Sequence, residues 1–159
     1  MTISTQQLLE KFPLEQLREL ASFGGLSDSA ILRLLDCGAI MPLTAGDVLY
    51  AAGSKPSAFH IILSGKISLF REYRGKSIHT RTYDPGEQVG FAAIIALHDH
   101  KGAAVVEEDA WILKISAGEF FKLYNSASED FALLMINLAR GMARTIDSLT
   151  RLIAVLQES

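Results

Sequence analysis

At 159 residues, with 49% hydrophobic and 21% charged residues, the chain fits one globular domain, or one domain with a helical appendage. A net charge of −3 argues against a dedicated duplex-DNA binder, whose surface is basic. The single cysteine, Cys37, excludes an intramolecular disulfide, and no apolar run approaches the ~20 residues of a membrane span.

The N-terminus, MTISTQQLLEKF, lacks the charged and then apolar order of a signal peptide, so a cytoplasmic protein is expected. Residues 4–22 are helix-prone. Leu8, Leu9 and Phe12, then Leu14, Leu17 and Leu20, recur at helical spacing, and Pro13 starts a second short helix. Ser27 is the N-cap of a helix through Leu35, ended by Gly38. Cys37, just beyond its apolar face, reads as a small buried hydrophobe.

From Ala39 to Ile115 β-prone runs alternate with turn signals, at Gly46, Gly53, Gly65, Gly75 and Asp84-Pro85-Gly86. Intervals of roughly 8–12 residues predict a sandwich or barrel. Phe59, Ile61 and Leu63, then Ile67 and Leu69, predict two strands joined tightly at Gly65. Val105-Val106 and Trp111–Ile115 supply the last strands, with the acidic stretch Glu107, Glu108 and Asp109 as a turn between them. Beyond Ile115 helices return. Ser116 with Glu119, and Ser126 with Glu129, have capping-box spacing. They predict a short helix through Tyr124 and a long one from about Ser128 to Leu156.

In the long helix Phe131, Met135, Leu138, Met142, Thr145, Leu149, Leu152 and Leu156 follow steps of four and three, a seam of about three and a half heptads. Ala132, Ile136, Ala139, Ala143 and Ile146 form a second ridge beside it. The first ridge is assigned to a homodimer interface and the second to the domain's own body. Residues 1–22 form an N-terminal helical segment, 23–127 a β-roll, and 128–159 a dimerisation helix.

This order, with the glycines of LTAGDVLYAAG and ILSGKISLF and the segment DPGEQVG, resembles the cyclic-nucleotide-binding domains of the catabolite activator protein family over about Phe23 to Leu152. The resemblance implies an α+β fold: an antiparallel β-roll or jelly roll, flanked by N-terminal helices and a long C-terminal helix. It also implies a phosphate-binding cassette, in which a Gly-Glu pair precedes an Arg-Ser/Thr-Ala run. Here Gly90 matches the glycine and Phe91 stands where the glutamate belongs. Lys101-Gly102-Ala103 falls at the second run, with Lys101 and His100 both open as counterparts of the arginine. Phe91 cannot accept the ribose hydrogen bond, a loss of ~1–3 kcal/mol. Lysine lacks arginine's planar fork. Cyclic AMP and cyclic GMP are therefore expected to bind poorly.

The candidate pocket comprises Gly90, Phe91, Ala92, Ala93, Lys101, Gly102 and Ala103, with Arg81 supplying charge and Thr145 aligned with a base-contacting position of the family. His98, Asp99 and His100 read as solvated loop residues rather than metal ligands, and His60 and His79 as structural or surface residues. No metal or cofactor is expected, and no catalytic motif is found. The reading is a non-catalytic regulatory module that signals through its dimer helix or a protein partner. The alternatives are a ligand-free interaction domain, or the sensor half of a transcription regulator, since no helix-turn-helix follows within the 159 residues. No nucleic acid or membrane partner is expected of this chain by itself.

Overall fold

The computed structural model describes residues 1–159. The helices begin where the sequence offers caps. Ser4 and Gln7 close a reciprocal capping box on α1 (Thr5–Lys11), and Pro13 precedes α2 (Leu14–Arg18). A single turn of 3-10 helix follows at Ala21–Phe23. Ser27 caps α3 (Asp28–Cys37) by accepting from the Ala30 amide at 3.2 Å. Cys37 is half-buried against the Leu34 carbonyl, and burial pushes its thiol up, away from the reactive thiolate.

The sheet has six strands: β1 (Ala39–Leu43), β2 (Val48–Tyr50), β3 (Ala58–Tyr73), β4 (Lys76–Tyr83), β5 (Gln88–Val89) and β6 (Ala103–Ser116). Its order is β1-β6-β3-β4, with β2 also paired to β6 and β5 to β3, antiparallel wherever paired. Two of the strands are long and bent, where the sequence suggests about eight short ones. Gly65 does not turn the chain back. It sits at φ 84° inside β3, where the register shifts on both sides, and a Cβ there would lie 2.4 Å from the Asp109 carbonyl. The glycine permits a bulge that bends one strand across β6. Glu107, Glu108 and Asp109 likewise lie within β6, all three exposed, not in a turn.

Alternation along β3 divides the core. Phe59, Ile61 and Leu63 face the helices, in a cluster that includes Leu8, Leu17, Ile31, Leu35, Phe120, Leu134 and Leu138. Ile62 and Ile67 face the inside of the roll with Val89, Ala104, Val106 and Ile112.

Ser116 caps α5 (Ala117–Ser126) by accepting from the Glu119 amide, while the Glu119 carboxylate turns to Lys122 instead of back to the cap. The second expected capping box does not form. Ser126 donates to the Lys122 carbonyl, and α6 (Ser128–Glu158) starts after Ala127 with no side-chain cap.

Along the first half of α6, the ridge assigned to the dimer interface packs on the body, and the ridge assigned to the body is exposed. Leu138 is fully buried, and Phe131, Met135 and Met142 are partly buried against the same core. Ala132, Ile136, Ala139, Ala143 and Ile146 are exposed. Beyond Thr145 every residue of the helix is exposed, Leu149, Leu152 and Leu156 included. Asn137 is 9% exposed, and its Nδ2 donates to the carbonyls of Ser22 (3.2 Å) and Gly24 (2.7 Å). That pair of bonds, with the full burial of Leu134 and Leu138, fixes which face of α6 meets the body. No helix is long and apolar enough to cross a membrane.

Candidate functional site

A cavity of about 530 Å³ opens at one end of the roll, between the sheet, the segment 86–102 and α6. Tyr50, Leu69, Arg71 and Tyr83 come from the strands, and Gly86, Glu87 and Gln88 from the turn into β5. Gly90, Ala92 and Ala93 come from the start of α4 (Phe91–Ala96), followed by His98, His100, Lys101 and Gly102 from the loop after it. α6 closes the cavity with Asn137, Gly141, Arg144 and Thr145, at spacings of four and three along one face, and with Met142 and Ile146 beside them.

Of the residues proposed from sequence, Gly90, Ala92, Ala93, Lys101, Gly102 and Thr145 line this cavity. Phe91 does not. It is fully buried, its ring edge-on to Phe59 (centroids 5.1 Å apart) and Phe120 (5.4 Å) in the helix-side core. The reason is its chemistry: the short helix turns its large apolar Phe91 and Ile94 inward, and the neighbouring Ala92 then faces the cavity. The glutamate position is therefore emptied rather than filled by an aromatic ring. Ala103 opens β6 opposite Phe70 and is off the cavity wall. Gly102 presses on β3, where a Cβ would stand 2.4 Å from the Phe70 carbonyl. Neither serine nor threonine fits at Gly102 without that strand giving way.

Arg81 stands at the rim, in a second groove with Thr80, Thr82, Asp84, Ser148 and Leu149. Glu87, Arg144 and Thr145 line both spaces. The Arg81 Nη2 meets Glu87 Oε1 at 2.5 Å and its Nη1 donates to Thr145 Oγ1. Its guanidinium lies over the Tyr83 ring at 4.5 Å. Glu87 Oε2 accepts from the Asp84 amide at 2.8 Å.

His100 is not a solvated loop residue: it is 6% exposed and stacked on Tyr50, with ring centroids 3.7 Å apart. Burial lowers the His100 pKa and raises that of Tyr50, which keeps both rings neutral. His98 points its Nδ1 at the Asp99 carbonyl, so His98, Asp99 and His100 do not converge on one point. His60, beneath them on β3, is 6% exposed with an unpartnered Nδ1.

Sequence reasoning missed Arg71, Arg144, Tyr50, Tyr83, Glu87 and Gln88. Arg71 was accessible through period-two alternation with Leu69, and Arg144 through its helical spacing from Asn137 and Gly141. The resulting wall carries three permanent cations, Arg71, Lys101 and Arg144, against one carboxylate, Glu87. It can attract and hold a small anion.

The sequence model of the cyclic nucleotide-binding domain matches residues 40–127. Among solved structures, the catabolite activator protein of Thermus thermophilus superposes with a TM-score of 0.71 at 23% identity over 86% of this chain. The chain spans 63% of that protein's length. A cyclic nucleotide-binding domain from Methylobacillus flagellatus gives 0.78 at 18% identity, covering 89% of this chain and 83% of that one. The c-di-GMP responsive global regulator CLP of Xanthomonas campestris gives 0.75 at 16%, covering 82% and 65%. No curated protein matches the chain. At these identities the structures testify to the fold, and the sequence match carries the assignment: the chain belongs to the cyclic nucleotide-binding domain family.

Proposed function

We propose that the protein is a non-catalytic sensor module that binds a small anionic molecule in the cavity at the end of the roll. The supporting observation is the cavity wall, where Arg71, Lys101 and Arg144 face a single carboxylate already engaged by Arg81. An anion gains charge-assisted hydrogen bonds there that a neutral ligand does not. The catabolite activator protein and the c-di-GMP responsive regulator are named for regulation, in keeping with this reading. Cyclic AMP and cyclic GMP are poor candidates. Ala92 offers no carboxylate to a ribose, and Lys101 and His100 offer no guanidinium fork.

The test is a thermal-shift and calorimetry panel of nucleosides, nucleoside monophosphates, cyclic mononucleotides and cyclic dinucleotides, repeated on Ala92→Trp. Ala92 is exposed on the cavity wall, so the large ring fills the space without entering the core. The expected result is stabilisation by at least one phosphate-bearing compound, absent in Ala92→Trp, with cyclic AMP and cyclic GMP weaker than low-micromolar. A panel without any binder, or a low-micromolar cyclic mononucleotide, would refute it.

The long helix is read as the dimer contact, through the ridge that the body leaves bare. Ile136 is 45% exposed, Ile146 62% and Ile153 54%. Each is worth about 1.5–3 kcal/mol if a second copy covers it fully. Ile136→Glu with Ile153→Glu, both on the bare ridge and off the cavity wall, is expected to yield monomers by light scattering at micromolar concentration. Met142→Glu would instead disturb the cavity wall and adjoining core. A monomeric unmutated protein would end the dimer reading. It would leave an interaction domain that offers this ridge to a different partner.

A further inference from the structure

We infer that Arg81 is the anion receptor of the site, and that Glu87 occupies it as an internal stand-in which a dianionic phosphate group displaces. The inference rests on the ligand-binding reading above and specifies its chemistry. Glu87 is the only acidic side chain on the cavity wall, and it spends its charge on Arg81.

The pair is positioned for exchange. The Arg81 and Glu87 side chains are 20% and 31% exposed, so a ligand can reach them, and the cost of desolvating both offsets much of their attraction. The guanidinium is already oriented: it is stacked on Tyr83 and bonded through Nη1 to Thr145, so binding through its fork costs little further ordering. Its Nε–H makes no hydrogen bond within the protein. A phosphate in Glu87's place would meet Arg81, and Arg144 lines both the cavity and the groove beside it.

The charge count selects the ligand. Arg71, Lys101 and Arg144 line the cavity, and a released Arg81 at its rim, in the groove that Arg144 also lines, adds a fourth cation. That suits a group carrying two negative charges, a phosphate monoester or pyrophosphate, better than the single charge of a cyclic phosphodiester or a carboxylate. The Glu87 carboxylate, once displaced, keeps its bond to the Asp84 amide and turns with the 84–87 segment toward water.

Inorganic pyrophosphate is the probe, titrated by calorimetry at fixed ionic strength into the unmutated protein, Glu87→Gln and Arg81→Gln, with acetate as the monoanionic control. Glutamine retains an oxygen for the Asp84 amide, so the turn is kept. The expected result is affinity raised about tenfold in Glu87→Gln and lost in Arg81→Gln, with acetate weak throughout. The Arg81 guanidinium resonances should also shift on binding. Unchanged pyrophosphate affinity in Glu87→Gln, retained affinity in Arg81→Gln, or no binding to any of the three overturns the assignment. If organic ligands still bind and are lost in Ala92→Trp while Glu87→Gln has no effect, the receptor role falls and the ligand-binding reading stands.

Discussion

Phe91→Glu will unfold the protein or leave it barely folded, although by sequence order it looks like the repair of a nucleotide site. The Phe91 side chain is fully buried between Phe59 and Phe120. Losing a buried phenylalanine costs roughly 3–5 kcal/mol. A carboxylate in its place has no partner among those rings and adds its own desolvation penalty. Against a total stability of about 5–15 kcal/mol, the sum is close to the whole. Ala92→Glu puts the same carboxylate on the cavity wall, and the protein should melt within a few degrees of its parent. Urea denaturation of the two variants decides the matter. Equal stability would mean that Phe91 is not part of the core.

The second large effect is on acid stability. Burial in β3, with Lys114 nearby, pushes the His60 pKa down from 6.5 to about 4. The folded state therefore holds His60 neutral where the unfolded chain is already protonated. Between pH 6.5 and 4 the unfolded state binds more protons, so stability falls as pH falls through that window and levels off below it. The shift corresponds to about 3 kcal/mol. His100, lowered in the same direction by burial, adds to the loss. Asp28 and Glu107 are held low by hydrogen bonds from Arg18 and from Ser68 and Thr82, so their contribution disappears only at still lower pH. Unfolding free energy measured from pH 7.5 to 4 should show this slope, and His60→Leu should flatten most of it. A parent and variant with the same pH dependence would refute the assignment.

The architecture was legible wherever chemistry is local. Ser27 and Ser116 cap the helices they were expected to cap, because a hydroxyl before an apolar periodic run has one good use. Gly65 was misread because positive φ serves a hairpin and a bulge alike. The choice depends on Asp109, more than forty residues away, crossing directly above it. Both ridges of α6 are apolar, so periodicity sets their spacing but not their direction. That follows from tertiary contacts: Leu134 and Leu138 are fully buried, and Asn137 bonds Ser22 and Gly24.

The site was half legible for a similar reason. Order along the chain located Gly90, Lys101 and Gly102, but the side a residue faces follows from its size and polarity. Phe91 turned inward on that account. Arg71 and Arg144 were not singled out, because their spacing from Leu69 and Gly141 points to a cavity only once those neighbours are known to line it.

Ser22 joins two parts of the molecule that are distant in sequence. Its amide and hydroxyl both donate to the Gly86 carbonyl, at 3.1 and 2.6 Å, while its own carbonyl takes the Asn137 amide. The turn carrying Glu87 and the long helix are thus fastened to the same residue, like two levers on one pin. On the proposed sensor reading, a ligand that displaced Glu87 would act on this turn, and the bonds at Ser22 would carry the displacement to α6. Substitution of Ser22 would then be felt in signal transmission before it was felt in affinity.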